Sequence, residues 1–353
     1  MPEVPVPGET LHKLSAMPNP RRNRLKTTLG IAVSVLLASV AVWVLIRTFQ
    51  RINFGDVLQQ VRAVSGATLA AAALCAAGAF ATLATYEIVV VRYVKHCIGR
   101  AKPVMTALIA FPLGHALGQA MLSGGALRYR MYAPAGFTAT EVGATVLLAN
   151  LPYALAFGLL LDISLVAAAE TLEPMFRISS EWLRALGCLG LAKDAGYLLL
   201  IVLRRKPVRL GGWKVDLPTP AMTALQLVVG IIDIALVSSV LYLLLPNTAG
   251  IAYLPFLAAY LASILAGVLS HVPAGLGVLE SMLLLLLPDV PPEQLLAAVL
   301  MYRAIYEIVP ALIALGLWTA FEGFATEGVL LQLFGRSQRR AIAEARPTVE
   351  RSE

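Results

Sequence analysis

The ten residues from His271 to Glu280, HVPAGLGVLE, lie between two stretches too apolar to be anything but membrane helices. They set a breaker-rich turn beside a carboxylate where lipid should be. Hydrocarbon offers backbone N–H and C=O groups no partner, so irregular chain at that depth must be shielded by protein or by water. A Pro/Gly break that carries charge inside such a segment marks a binding or transport site in most membrane proteins. The other reading of the same ten residues is an interhelical loop at the membrane surface.

Outward from that turn, the composition agrees with a membrane setting. Of 353 residues, 58% are hydrophobic and 14% charged, and the mean hydropathy is +0.77. A chain so poor in charge cannot cover a soluble domain with polar side chains, so an all-α polytopic membrane protein is expected. The net charge of +7 does not point to nucleic acid, because the Lys and Arg residues fall in short clusters between apolar runs, where they set topology. Cys75, Cys97 and Cys188 are scattered and only four histidines exist. Neither a disulfide framework nor metal-ligand spacing is present, and no cofactor or metal is called for.

Apolar runs of crossing length, about twenty residues at 1.5 Å each, fall at 27–46, 66–91, 140–168, 185–203, 220–245 and 293–319, and two interrupted runs fall at 104–132 and 251–287. The first follows a basic lead with Lys13, Arg21, Arg22, Arg24 and Lys26 and is too long for a cleaved signal core, so it reads as a retained anchor. Charge decides what the interrupted runs do. With the N-terminus cytoplasmic, Arg92, Lys95, Arg100 and Lys102 return to the cytoplasm after two spans, as the positive-inside bias requires. A single crossing by 104–132 would put Arg204, Arg205, Lys206, Arg209 and Lys214 outside and Glu170, Glu173 and Glu181 inside, both signs wrong. A hairpin that enters and returns corrects both. The same parity makes 251–287 a hairpin from the opposite face. About six full spans plus two opposed re-entrant hairpins result, with eight or more plain spans as the alternative, a layout similar to the broken helices of inverted-repeat transporters.

The loop 47–65 departs from this scheme, being external yet carrying Arg47, Arg51 and Arg62 against Asp56. Phe54, Val57, Leu58, Val61 and Val64 recur there at helical spacing, and Asn53 with Asp56 resembles an N-terminal cap. The expectation is an amphipathic helix on the membrane surface, a solvated connector being the alternative.

Several polar groups stand in the apolar runs. In PLGHALGQAMLSGGALRYRMY, 112–132, Gly114 and Gly118 allow another backbone to approach, and Ser123, Gly124 and Gly125 are expected to break the helix. Arg128 and Arg130, flanked by Tyr129 and Tyr132, suit either a lipid phosphate or simple interfacial anchoring. In the second hairpin Pro273, Gly275 and Gly277 free backbone N–H groups at a half-helix start, and Glu280 adds a carboxylate that calls for a cation. Arg303 and Glu307 stand one turn apart in the last span and can satisfy each other. Glu87 and Asp233 are each the lone charge of a long apolar run, which makes them candidates for a proton relay. Asp194 neighbours Lys193 on a different helix face, so its partner is expected elsewhere, and Asp162 reads as a boundary charge. No Walker motif, nucleophile elbow or HExxH is present.

Three stretches together, SGGALRYRMY at 123–132, HVPAGLGVLE at 271–280 and YRAIYEIVPALIAL at 302–315, resemble the transmembrane flippase region of the lysylphosphatidylglycerol synthase/flippase (multiple peptide resistance factor) family and the stand-alone membrane proteins related to it. The resemblance spans roughly 25–325, with Ala274 where Gly is usual and Glu307 where the family often has an uncharged residue. It implies a module that moves a phospholipid with an anionic or aminoacylated head group between leaflets of a bacterial inner membrane. Residues Gly124, Gly125, Arg128, Arg130, Pro273, Gly275, Gly277 and Glu280 then furnish one lipid-handling cavity, with Arg303 and Glu307 beside it. The aminoacyl transfer of the family belongs to a soluble domain not expected here, so neither enzyme activity nor tRNA is carried over. The implied division is a cytoplasmic tail at 1–26, a lipid-transport domain at 27–319 and a cytoplasmic tail at 320–353. Faces of small residues allow a homodimer as readily as packing within one chain. A membrane partner that presents lipid to, or anchors, a separate enzyme is the alternative function.

Overall fold

The computed structural model of the protein describes residues 54–94, 98–116, 120–203, 208–210, 213–215, 219–246 and 250–322. The expected first span at 27–46, both tails and the Asn53 cap lie outside these residues. Among the described residues six helices are long and apolar enough to cross a membrane, and the chain is an all-α polytopic membrane protein. The one β feature among the described residues is a short antiparallel pair, β1 (Val208–Leu210) and β2 (Trp213–Val215), with Arg209 opposite Lys214.

Helix α1 (Phe54–Ala63) forms where the helical spacing predicts it, and Val61 packs on Leu296 and Ala297 near the start of the last helix. Helix α2 (Gly66–Tyr93) starts where the Ser65 hydroxyl accepts a bond from the Thr68 N–H at 3.1 Å. Ala72, Ala76 and Ala79 line one buried face of α2 at helical spacing. Such small side chains let α8 (Pro220–Leu244) approach closely. Thr138 and Glu141 form a reciprocal capping box that starts α5 (Ala139–Ala167). A left-handed Arg177, φ 54°, turns the short α6 (Ala169–Phe176) into α7 (Ser180–Leu203). There Glu173 accepts a hydrogen bond from the Ser180 N–H at 3.0 Å, and these contacts to Ser180 hold its carboxyl below the usual range.

The first interrupted run folds as two packed helices, α3 (Ala101–Ala116) and α4 (Ala120–Tyr132). Its break is not at Ser123–Gly125, through which α4 continues unbroken. Ser123 and Gly124 serve instead as the contact between the two arms. Ser123 Oγ donates to Gly114 O at 3.0 Å, and a Cβ on Gly124 would come within 3.2 Å of Ala110 O.

The second interrupted run is a hairpin with unequal arms. Helix α9 (Tyr253–Ser270) is itself one of the six helices of crossing length, which the parity scheme did not count as a span. Helix α10 (Val278–Leu286), nine residues, returns over about half that rise. Between them lies a single 3-10 turn, Pro273–Gly275, with positive φ inside it at Ala274 (52°) and Gly275 (58°) and on either side at His271 (55°) and Gly277 (80°). The last helix, α11, begins at Pro292 and continues to Glu322, with one π-helical stretch at Arg303–Ile308. Arm α3 of the first hairpin packs against both the Pro273–Gly275 turn and this π stretch. The two hairpins therefore meet at the broken segment, while Leu241, Phe256, Leu261, Leu283 and Leu295, from α8 to α11, belong to the main core.

Candidate functional site

The π stretch swings Arg303 beneath the broken turn, where the residue is only 5% exposed. All five of its N–H donors are used. Nε donates to Glu280 Oε1 at 2.6 Å; Nη2 donates to Glu280 Oε2 at 3.2 Å and to Gly275 O at 3.4 Å; Nη1 donates to Glu307 Oε2 at 2.8 Å and to Ala274 O at 3.2 Å. The two carbonyls are ones that the left-handed turn leaves outside any helix ladder. The N–H groups at the half-helix start, read from the sequence as an anion site, are met from within: Gly277 N–H donates to Glu280 Oε2 at 2.9 Å, and Gly275 N–H to Val272 O at 2.9 Å. Two carboxylates thus face one guanidinium, and Glu307 keeps its Oε1 without a protein partner among the described residues. Low dielectric makes such a surplus costly unless a cation, a proton or a hydroxyl donor joins it.

The expectation of Glu87 as a lone charge is corrected, because the first hairpin brings it a partner. Arg128 Nε donates to both Glu87 oxygens at 3.1 Å and Nη2 to Oε2 at 3.0 Å, while the Tyr132 hydroxyl donates to Oε1 at 2.9 Å. Both charges are buried, and the guanidinium lies 4.5 Å over the Phe111 ring. Gly124, one turn before Arg128, makes room for it: a Cβ there would stand 3.1 Å from Nη1. Gly125 has no such demand, its Cβ meeting only Val146 at 3.7 Å. Arg130 is half exposed and pairs with Glu322 at 2.7 Å, tying α4 to the end of α11.

Asp233 is 1% exposed, and Thr82 Oγ1 stands 2.7 Å from its Oδ1. No cationic side chain among the described residues lies within ion-pair distance. Around this level Tyr260 and Tyr302 join their hydroxyls at 2.9 Å, and Tyr302 stacks on Tyr306 with ring centroids 5.7 Å apart.

A fourth cluster corrects two expectations. Lys193 does reach its neighbour, with Nζ 3.1 Å from Asp194 Oδ1, and it also lies 3.7 Å from Asp162 Oδ2. Asp162 is a buried group packed between helices, not a boundary charge. Its carboxyl occupies the space a Cβ on Gly190 would need, whereas the Asp194 carboxyl lies 3.8 Å from where a Cβ on Gly158 would stand, an ordinary contact. The signal was present in the sequence as the repeated pattern GLLLD at 158–162 and GLAKD at 190–194.

No family model matches the sequence. The chain is 29% identical over 242 residues to an uncharacterised protein of Synechocystis, covering 66% of this chain and 75% of that one. It is 25% identical over 288 residues to the inner membrane protein YbhN of Escherichia coli, covering 81% and 87%. It is 23% identical over 334 residues to the phosphatidylglycerol lysyltransferase of Staphylococcus haemolyticus, covering 92% of this chain but 36% of that protein. Long coverage at these identities joins the membrane fold and the three motifs into one conclusion: the chain is a membrane protein related to YbhN and to part of the lysyltransferase.

Proposed function

We propose that this protein moves a phospholipid, or a related polar lipid, between the leaflets of a bacterial inner membrane, with its N-terminus cytoplasmic and no catalytic step of its own. The observation that carries the reading is the Arg303 cluster, a charged site built on broken backbone between two hairpins of a membrane protein. A charged head group is expensive to draw through hydrocarbon, and a site that replaces its water with fixed charges lowers that cost. An ion-pair exchange fits the geometry. A head group carrying both a phosphate and an ammonium or hydroxyl group enters between Arg303 and Glu307: the phosphate takes the one Arg303 donor that Glu307 held, and Glu307 takes the donor of the head group. Glu280 stays in place, because it also caps α10 through Gly277. The Gly124 and Arg128 segment acts as scaffold, since its guanidinium is committed to Glu87.

The test is head-group transfer by purified protein in vesicles. Glu307→Gln leaves Arg303 paired with Glu280 and is expected to insert normally while slowing transfer at least about tenfold, the equivalent of 1.4 kcal/mol of barrier. Unchanged transfer removes the site from the mechanism. A second reading draws on the lysyltransferase relative, of which this chain spans only about a third: a membrane partner that presents lipid to a separate enzyme. Transfer by the purified protein alone distinguishes the two.

A further inference from the structure

The hydrogen count around Asp233 carries a further step, which rests on the transport reading above and deepens it. Thr82 Oγ1 lies 2.6 Å from Ala79 O and 2.7 Å from Asp233 Oδ1. Both distances are those of good O–H···O bonds. A hydroxyl has one hydrogen and a backbone carbonyl has none to give. One hydroxyl hydrogen shared between both acceptors gives two weakened bonds, whereas a proton on the Asp233 carboxyl gives each contact a hydrogen of its own, Thr82 then donating to Ala79 O and accepting from Asp233. The surroundings agree, because the titratable groups facing Asp233 are phenols, Tyr86 from α2, Tyr153 from α5 and Tyr306 from the last helix. The nearby acid on α2, Glu87, is held by Arg128, and Gln226, two turns before Asp233, bonds Leu148 O.

We propose that Asp233 is a proton-binding site at the middle of the bundle and that its proton is bound and released with each head-group transfer. Position supports coupling. Asp233 stands near the midpoint of α8, and Tyr306 lies within electrostatic reach of both Asp233 and Glu307. Occupancy of the Arg303 cluster and of Asp233 is then linked through this tyrosine.

Infrared spectroscopy of the full-length protein in lipid bilayers at pH 7 tests the proton itself. Wild type is expected to show a neutral carboxylic-acid C=O band that is lost in Asp233→Asn and shifted in Thr82→Val, which removes the acceptor. Identical spectra in that region for wild type and Asp233→Asn overturn the proposal, as does an unshifted band in Thr82→Val. Vesicles then test coupling: a transmembrane pH gradient is expected to accelerate transfer by wild type, while Asp233→Asn transfers at one rate with or without it. A gradient-insensitive wild type that still transfers lipid overturns the coupling and leaves the transport reading intact. A wild type with the acid band but no transfer under any gradient defeats transport and the coupling with it.

Discussion

Arg128 and Ala274 show how single residues hold this fold. Arg128 meets Glu87 from a helix 41 positions away in sequence, and both are buried. Arg128→Ala strands a carboxylate in low dielectric, so a loss of about 3–5 kcal/mol is expected, read as a lowered melting temperature in detergent. Pairing it with Glu87→Gln is expected to recover much of that loss, which a direct role of Arg128 on lipid phosphate would not predict. Ala274 sits in the left-handed region at φ 52°, a conformation that costs a residue with a Cβ about 1–2 kcal/mol. Ala274→Gly is therefore expected to raise stability by up to about 1 kcal/mol after the entropic cost of glycine. Gly277→Ala, at φ 80°, is expected to lower it. Thermal unfolding of the two variants side by side gives opposite signs if the turn is as described.

At the scale of elements, the contact between α5 and α7 depends on which glycine faces what. A Cβ on Gly190 would occupy the place of the Asp162 carboxyl, and one on Gly187 would lie 2.7 Å from Asp162 O, whereas one on Gly158 meets chiefly the flexible Lys193 tip at 3.2 Å. Gly190→Ala is expected to cost more than Gly158→Ala, by roughly 1–3 kcal/mol of overpacking, in the same unfolding measurement. The Ser180 end of α7 responds to pH. Hydrogen bonds to Ser180 hold the Glu173 carboxyl low, so the cap it provides is complete above the ordinary range of a free glutamate and is lost as pH falls through its lowered value. Faster exchange of the Ser180 amide in acid, abolished by Glu173→Gln, is the expected readout. The long helices were legible because apolar runs and caps such as Thr138 with Glu141 mark them locally. The break in the first hairpin was not, because a Ser-Gly-Gly run can end a helix or let two helices touch, and only Gly114 opposite Ser123 decides between them. The π stretch at Arg303–Ile308 leaves no mark in residue type at all.

Across the whole molecule the charge clusters among the described residues do not balance. Glu87 and Arg128 cancel, but Arg303 faces both Glu280 and Glu307, Lys193 faces both Asp162 and Asp194, and Asp233 has no cation among the described residues. Folding tolerates an uncompensated carboxylate at such depth only if a proton, a hydroxyl donor or a positive head group completes it. The partners of Glu280 and Arg303 were readable as residue types that want each other, yet the surplus appears only when the hairpin places both acids on one guanidinium. That surplus gives the ligand a sign. Lipid retained by the purified protein and identified by mass spectrometry is expected to be enriched in head groups that carry an ammonium or hydroxyl beside the phosphate, relative to lipids with phosphate alone. Glu307→Gln removes the extra acid and keeps Arg303 paired with Glu280, so the enrichment is expected to vanish while total bound lipid changes little. Equal enrichment in both proteins would mean that Glu307 does not read the head group, and a preference for phosphate-only lipid in wild type would mean that Arg303, and not the acids around it, sets the selectivity.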